Sequence, residues 1–180
     1  MIKNGRRKKQ MKVNIRITDV RWSKVNLREL CRKGLLLSLS TLEDNMRCFE
    51  ISILACGVEE ITELNYKFRQ VKKPTDILSW PEFDFKNRNR GEATLWFKQI
   101  ETSQDDKVFL GNMALSYDQC VADYLDKEIL IDDHLTHLIV HGCLHLLGYD
   151  HKKISDARLM ESTEKKLLES VGIRSPYHFN

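Results

Sequence analysis

No stretch of this chain approaches the roughly 20 consecutive apolar residues that a membrane span needs, so no segment reads as a spanning helix. Cys31, Cys48, Cys56, Cys120 and Cys143 are odd in number and form no C-x-x-C pair. That argues against a disulfide framework and suits reduced thiols in a cytoplasmic protein. An apolar run is also missing behind the N-terminal cluster Lys3, Arg6, Arg7, Lys8 and Lys9, so that cluster is not a secretory signal. Charge of one sign is not in large excess either. A formal net charge of +3 is compatible with a nucleic-acid partner without arguing for one.

What is present fits one globular domain. The chain has 180 residues, 42% hydrophobic and 31% charged, which is ordinary for a soluble fold long enough to bury a core. Residues 11–180 read as that single domain. Residues 1–10 read as a basic, disordered extension, or as sequence ahead of a true start at Met11. A basic arm touching RNA phosphates is the alternative.

Along the chain, Val13–Ile17 and Phe49–Ile53 alternate apolar and polar residues as strands do. Leu27 to about Leu42 has helical spacing despite Gly34, and Val58–Phe68 resumes it after Gly57. Pro74 closes that helix, because the residue before a proline is pushed out of the α region. Asp76–Trp80 and Lys107–Leu115 read as two further strands, and Tyr117–Leu125 as a short helix. Between them, Glu82–Asp106 is polar and reads as a long loop around Leu95-Trp96-Phe97. Ser155 to about Val171 is a closing amphipathic helix whose charges read as solvated. The expectation is an α+β domain: a small mixed sheet of about four strands packed with five or six helices.

The chemistry concentrates in His141-Gly142-Cys143-Leu144-His145-Leu146-Leu147-Gly148-Tyr149-Asp150-His151. Apolar residues at 135, 138, 139, 144, 146 and 147 place this stretch on a largely buried, central helix. His141 and His145, four apart, share one face. Gly148 allows a left-handed stop, after which the chain can return and bring His151 to the same point. Three imidazoles with no fourth protein ligand are the donor set of a catalytic rather than a structural zinc site. The spacing His-x3-His-x2-Gly-x2-His is that of the metzincin proteases, but the glutamate base that follows their first histidine is here Gly142.

The whole string is similar to the signature of the bacterial YbeY family. A second block agrees in order and spacing: Asn65-Tyr66-Lys67-Phe68-Arg69, then Pro74-Thr75-Asp76-Ile77-Leu78-Ser79-Trp80-Pro81. The resemblance implies a Zn2+-dependent endoribonuclease, one ion per chain, held by His141, His145 and His151. It implies single-strand-directed cleavage in ribosomal RNA processing, at the 3′ end of 16S rRNA, and a part in ribosome quality control. The implied partners are a ribosomal RNA precursor, the small ribosomal subunit and a ribosomal protein, in the cytoplasm and away from membranes. It also makes Arg69 a residue important for activity. A guanidinium can grip a phosphate through two oxygens and stabilise charge that develops during cleavage. Without the resemblance, Arg69, Lys72 and Lys73 read as a solvated helix end. The attacking group is either a water or the RNA's own 2′-OH. Rival readings are a zinc-stabilised assembly factor without catalysis, and a metallohydrolase acting on another phosphoester or a peptide.

Several neighbours stay open. The family usually has Leu-Gly-Asp where this chain has Leu110-Gly111-Asn112; a carboxylate with a role at the site would be replaced poorly by an amide, and one that only capped a turn easily. His134 shares the stripe of His141 but lies roughly 10 Å along the helix, too far for the same ion. His137 donates a hydrogen bond near the site, lines it or adds a ligand. Asp150 orients a histidine or caps the next helix. Cys143 reads as core filler, and His178 as a poor ligand candidate.

Overall fold

Alternating burial from Gln10 to Ile17 builds the first strand, β1, and the same pattern from Cys48 to Cys56 builds β2. The structure, a computed structural model, describes residues 10–42, 47–83, 107–127 and 130–174. The basic cluster before residue 10, the polar stretch 84–106 and His178 lie outside these residues. Between β1 and β2 runs α1 (Leu27–Leu39), capped by the Asn26 side chain on the Glu29 amide. Then follow α2 (Val58–Arg69), β3 (Ile77–Pro81), β4 (Lys107–Ser116), α3 (Tyr117–Lys127), α4 (Ile131–Leu146) and α5 (Ile154–Glu169). Among the described residues, the four strands and five helices match the α+β architecture that the sequence predicts.

The sheet order is β1-β2-β4-β3. β1, β2 and β4 are parallel, and β3 closes one edge antiparallel to β4. Successive side chains point to opposite faces, and the sequence uses both. On one face Phe49, Ile51, Ile53, Ile77, Met113 and Leu115 join α1 and α4 in the main core. On the other, Leu54, Leu78, Trp80 and Ala114 pack against Ile61 and Leu64 of α2. The pairing of β2 with β4 skips Leu110, passing from Glu50↔Phe109 to Ile51↔Gly111. Gly111 takes φ +137°, and a Cβ there would lie 2.5 Å from the Trp80 carbonyl oxygen. Only glycine fits that bulge.

A short 3-10 turn, Val20–Lys24, has no clear signal in the sequence. It buries Trp22, whose indole N–H donates to the Cys56 carbonyl at 3.0 Å. Beside it Arg21 binds both Asp19 and Asp118. Asp118 also accepts from the Val58 amide at 3.0 Å, capping α2 where Gly57 has no side chain to do so.

Gly34 explains itself through packing. A Cβ on it would stand 2.5 Å from Ile139 Cγ2, so α1 and α4 cross in contact at this point. Gly34→Ala crowds that crossing at about 1–3 kcal/mol against roughly 1 kcal/mol of helix propensity gained. The expected outcome is a net loss on the order of 1 kcal/mol in urea denaturation, and an unchanged or raised midpoint would show that the crossing yields.

Candidate metal centre

α4 is apolar on most of its surface because it lies in the core: Leu135, Leu138, Ile139, Val140, Cys143 and Leu144 are all buried. Burial pushes the Cys143 thiol up to about 12, in keeping with core filler. The helix ends where the glycine predicts. Gly148 has φ +85°, the Tyr149 amide returns to the Leu144 carbonyl at 3.0 Å, and the Gly148 amide to His145 at 2.9 Å. These are the two bonds of a Schellman stop.

That stop reverses the chain and brings three imidazoles together. Donor atoms of His141, His145 and His151 lie within 4.8 Å of one another. The His151 ring centroid is 5.4 Å from that of His141 and 4.9 Å from that of His145. His151 sits on the exposed side, and its amide donates to the Asp150 carboxylate at 2.9 Å. Asp150 therefore fixes the main chain of the loop; the N-cap of α5 is Lys153.

The protons of two rings follow from their partners. His145 Nδ1 lies 3.0 Å from the Tyr149 carbonyl, an acceptor, so this nitrogen carries the hydrogen. His141 Nδ1 lies 3.3 Å from Glu164 Oε2 and carries one by the same logic. Both Nε2 atoms then bear lone pairs, and they face each other at 3.1 Å. Two lone pairs so placed repel unless a cation lies between them. Burial first, and then the neighbouring imidazoles, push His145 down to about 3, which keeps it neutral and able to ligate at ordinary pH. The donor set thus fits a divalent metal ion.

Glu164 is the residue that sequence reasoning missed. The charges of α5 read as solvated, yet Glu164 is 0% exposed and Asp156 8%. Burial alone would raise the Glu164 carboxyl, but bonds from His137 and His141 outweigh it and bring it down to about 2. Its two oxygens are shared: Oε1 lies 2.7 Å from His137 Nε2 and Oε2 3.3 Å from His141 Nδ1. The signal was its position. Glu164 falls on the stripe of Met160, Leu167 and Leu168, where a solvated charge has no place. His137 is thereby a hydrogen-bond partner of Glu164. His137, His141 and Glu164 form a second group with metal-donor spacing, which shares His141 with the first; His134 belongs to neither.

Gly142 also gains a reason. A Cβ there would lie 2.5 Å from Met113 Sδ, 2.7 Å from Ile77 Cδ1 and 2.9 Å from Ser79 Oγ. α4 rests on the sheet at this position. A glutamate in place of Gly142 would drive into β3 and β4, so a base of the metzincin kind has no room.

Arg69 ends α2, on the sheet face opposite α4, and is exposed. Among the described residues no hydrogen bond or ion pair joins it to the histidines. Around it Lys67, Lys72 and Lys73 are also exposed. Asn112 lies on that same opposite face, paired with Ser52 and Trp80. The five cysteines are free thiols, and among the described residues no helix is long and apolar enough to cross a membrane.

Comparison with known proteins agrees with this geometry. The profile of the family described as Endoribonuclease YbeY matches residues 12–172. The chain is 39% identical to a protein of that name from Ruegeria pomeroyi over 169 residues, 93% of this chain and 98% of the other. It is 36% identical to one from Cereibacter sphaeroides over 161 residues, 89% of this chain and 95% of the other. A Thermotoga maritima protein solved in solution shares the fold, with a TM-score of 0.54 at 22% identity over 88% of each chain. Both the histidine motif and the second block lie inside the matched span, and the chain belongs to the endoribonuclease YbeY family.

Proposed function

We propose that this chain is a zinc-dependent endoribonuclease that cuts single-stranded RNA in ribosomal RNA processing, including maturation of the 16S rRNA 3′ end and ribosome quality control. Its ligands are His141, His145 and His151, and Arg69 grips a phosphate of the bound strand. The observation that carries the reading is the pair of facing Nε2 lone pairs, 3.1 Å apart, in a member of this family. Zinc is favoured over magnesium or calcium because every donor is an imidazole nitrogen, whereas those ions prefer oxygen.

A bound zinc ion supplies Lewis acidity toward a phosphoryl oxygen. The chain's own residues do the rest. Tyr149 and Glu164 hold the tautomers of His145 and His141. Gly142 offers no proton acceptor, and Glu164 is occupied by two imidazoles. The attacking group is therefore a water or the substrate's own 2′-OH, and the product ends tell them apart: a 2′,3′-cyclic phosphate marks the second route. Arg69 has no competing carboxylate among the described residues, and its guanidinium is available for a phosphate. Residues 11–180 act as one domain, and that domain takes in Gln10 as well, which pairs with Cys48 at the start of β1. The site of action is the cytoplasm, on a ribosomal RNA precursor at the small subunit, alongside a ribosomal protein.

The test is cleavage of a labelled single-stranded ribosomal RNA precursor fragment by wild type, His145→Ala and Arg69→Ala, purified in parallel. Arg69→Ala is expected to lower kcat/KM by roughly two- to fivefold, about what one solvent-exposed charged contact is worth. Equal cutting by all three preparations would overturn the reading. So would intact RNA with the wild type, in favour of a zinc-stabilised assembly factor or a hydrolase of another substrate.

A further inference from the structure

Among the described residues, the sheet face opposite the histidines is only half covered. α2 lies over Leu54, Leu78 and Ala114 and reaches Trp80 at one end of the adjoining row, leaving the rest of that row open. That row crosses all four strands in register: Asn14 pairs with Ser52, Ser52 with Asn112, and Asn112 with Trp80. Three hydrogen-bonding side chains thus end on an aromatic one. With Arg16 and Leu64 they line a cavity of about 370 Å³, within the range of small-ligand sites.

The polar groups of this row are mostly unspent. Among the described residues, the side chains of Ser52 and Asn112 make no hydrogen bond, and Arg16 has no ion-pair partner. Asn14 donates its amide to Glu50, whose charge is answered by Lys12 at 3.0 Å. Trp80 is held by Phe68, stacked at 4.8 Å and 16°. Phe68 is one residue before Arg69, so the exposed cations at the end of α2 border the same patch.

We propose that this cavity binds one unpaired nucleobase of an RNA strand, a proposal that rests on the endoribonuclease reading above. A base has a flat face for Trp80 and an edge of donors and acceptors for Asn112, Ser52 and Asn14. Arg16 and Arg69 supply charge for the flanking phosphates. Open sheet faces that present aromatic and polar side chains are a recurrent way to hold single-stranded RNA. Asn112 gains a role here: its amide offers both a donor and an acceptor and does not repel phosphate. The edge strand β3 links the two sites. Ile77 and Ser79 face α4 while Trp80 lines the cavity on the other side of the sheet.

The test is fluorescence anisotropy of a labelled 2′-O-methyl hexanucleotide with the purified full chain. Wild type is compared with Trp80→Leu, Arg16→Ala and the isosteric Asn112→Asp, the last of which preserves packing. Loss of one stacked base is expected to weaken binding by about tenfold in Trp80→Leu, and roughly fivefold in Asn112→Asp and Arg16→Ala. An abasic nucleotide in the oligomer should reproduce the loss in wild type and add nothing to it in Trp80→Leu. Wild-type affinity in all three variants would overturn the assignment and leave the face to a protein partner, with the endoribonuclease reading intact. If wild type itself does not bind the oligomer, both readings fall.

Discussion

His145→Ala is expected to cost the protein its metal and its RNA cleavage together, while the fold remains. His145 is the central donor of the cluster: its ring lies 4.7 Å from that of His141 and 4.9 Å from that of His151. Its Nε2 is the lone pair that faces His141. Without it, two imidazoles on separate elements remain, one of them on an exposed loop. The Lewis acidity lost with the ion is worth several kcal/mol, so cleavage should fall by about 10³ or more. α4 itself should persist, because Leu135, Leu138, Ile139, Val140 and Leu144 hold it in the core independently of the site. Metal content by mass spectrometry, circular dichroism and the RNA assay on one preparation check all three statements. Retained zinc with lost activity would make His145 something other than a ligand, and retained activity without zinc would remove the metal from the chemistry.

The site was legible where several local signals coincide. Helical apolar spacing, histidines four apart and a glycine three residues later all fall within one stretch, and each depends on the chain's own geometry rather than on distant contacts. The order of the strands was not legible. The sequence gives the alternation of strands and helices, but the insertion of β4 between β2 and β3 is a long-range pairing that no local pattern encodes. Glu164 escaped for a related reason. On an amphipathic helix a glutamate reads as solvated until the partner helix is known, and α4 supplies the two imidazoles that turn it inward. Gly34 and Gly142 look like flaws in good helices and are points of close approach. Gly142 has the larger consequence, since the position that holds the base in a metzincin is sealed here against β3 and β4.

Glu164→Gln is expected to weaken metal binding by about 10- to 100-fold, the usual cost of losing a partner that orients a ligating histidine. The carboxylate accepts from His137 with one oxygen and from His141 with the other. An amide of the same shape has one acceptor and one donor group, so it satisfies only one of the two rings. If the amide N–H₂ turns toward His141, that ring must move its proton to Nε2 and withdraw the lone pair from the ion. If it turns toward His137, the change falls on a residue outside the first cluster. The expected outcome is therefore partial loss: cleavage drops at limiting zinc and recovers when zinc is added, as it does not in His145→Ala. The same measurement decides between the two donor groups that share His141. With His141, His145 and His151 as ligands, His151→Ala loses zinc to a chelator that His137→Ala withstands. With Glu164 itself as a ligand, His137→Ala is the variant that fails. The geometry favours the first outcome, because the carboxylate meets the imidazoles at hydrogen-bonding distances and His141 can turn only one nitrogen toward an ion.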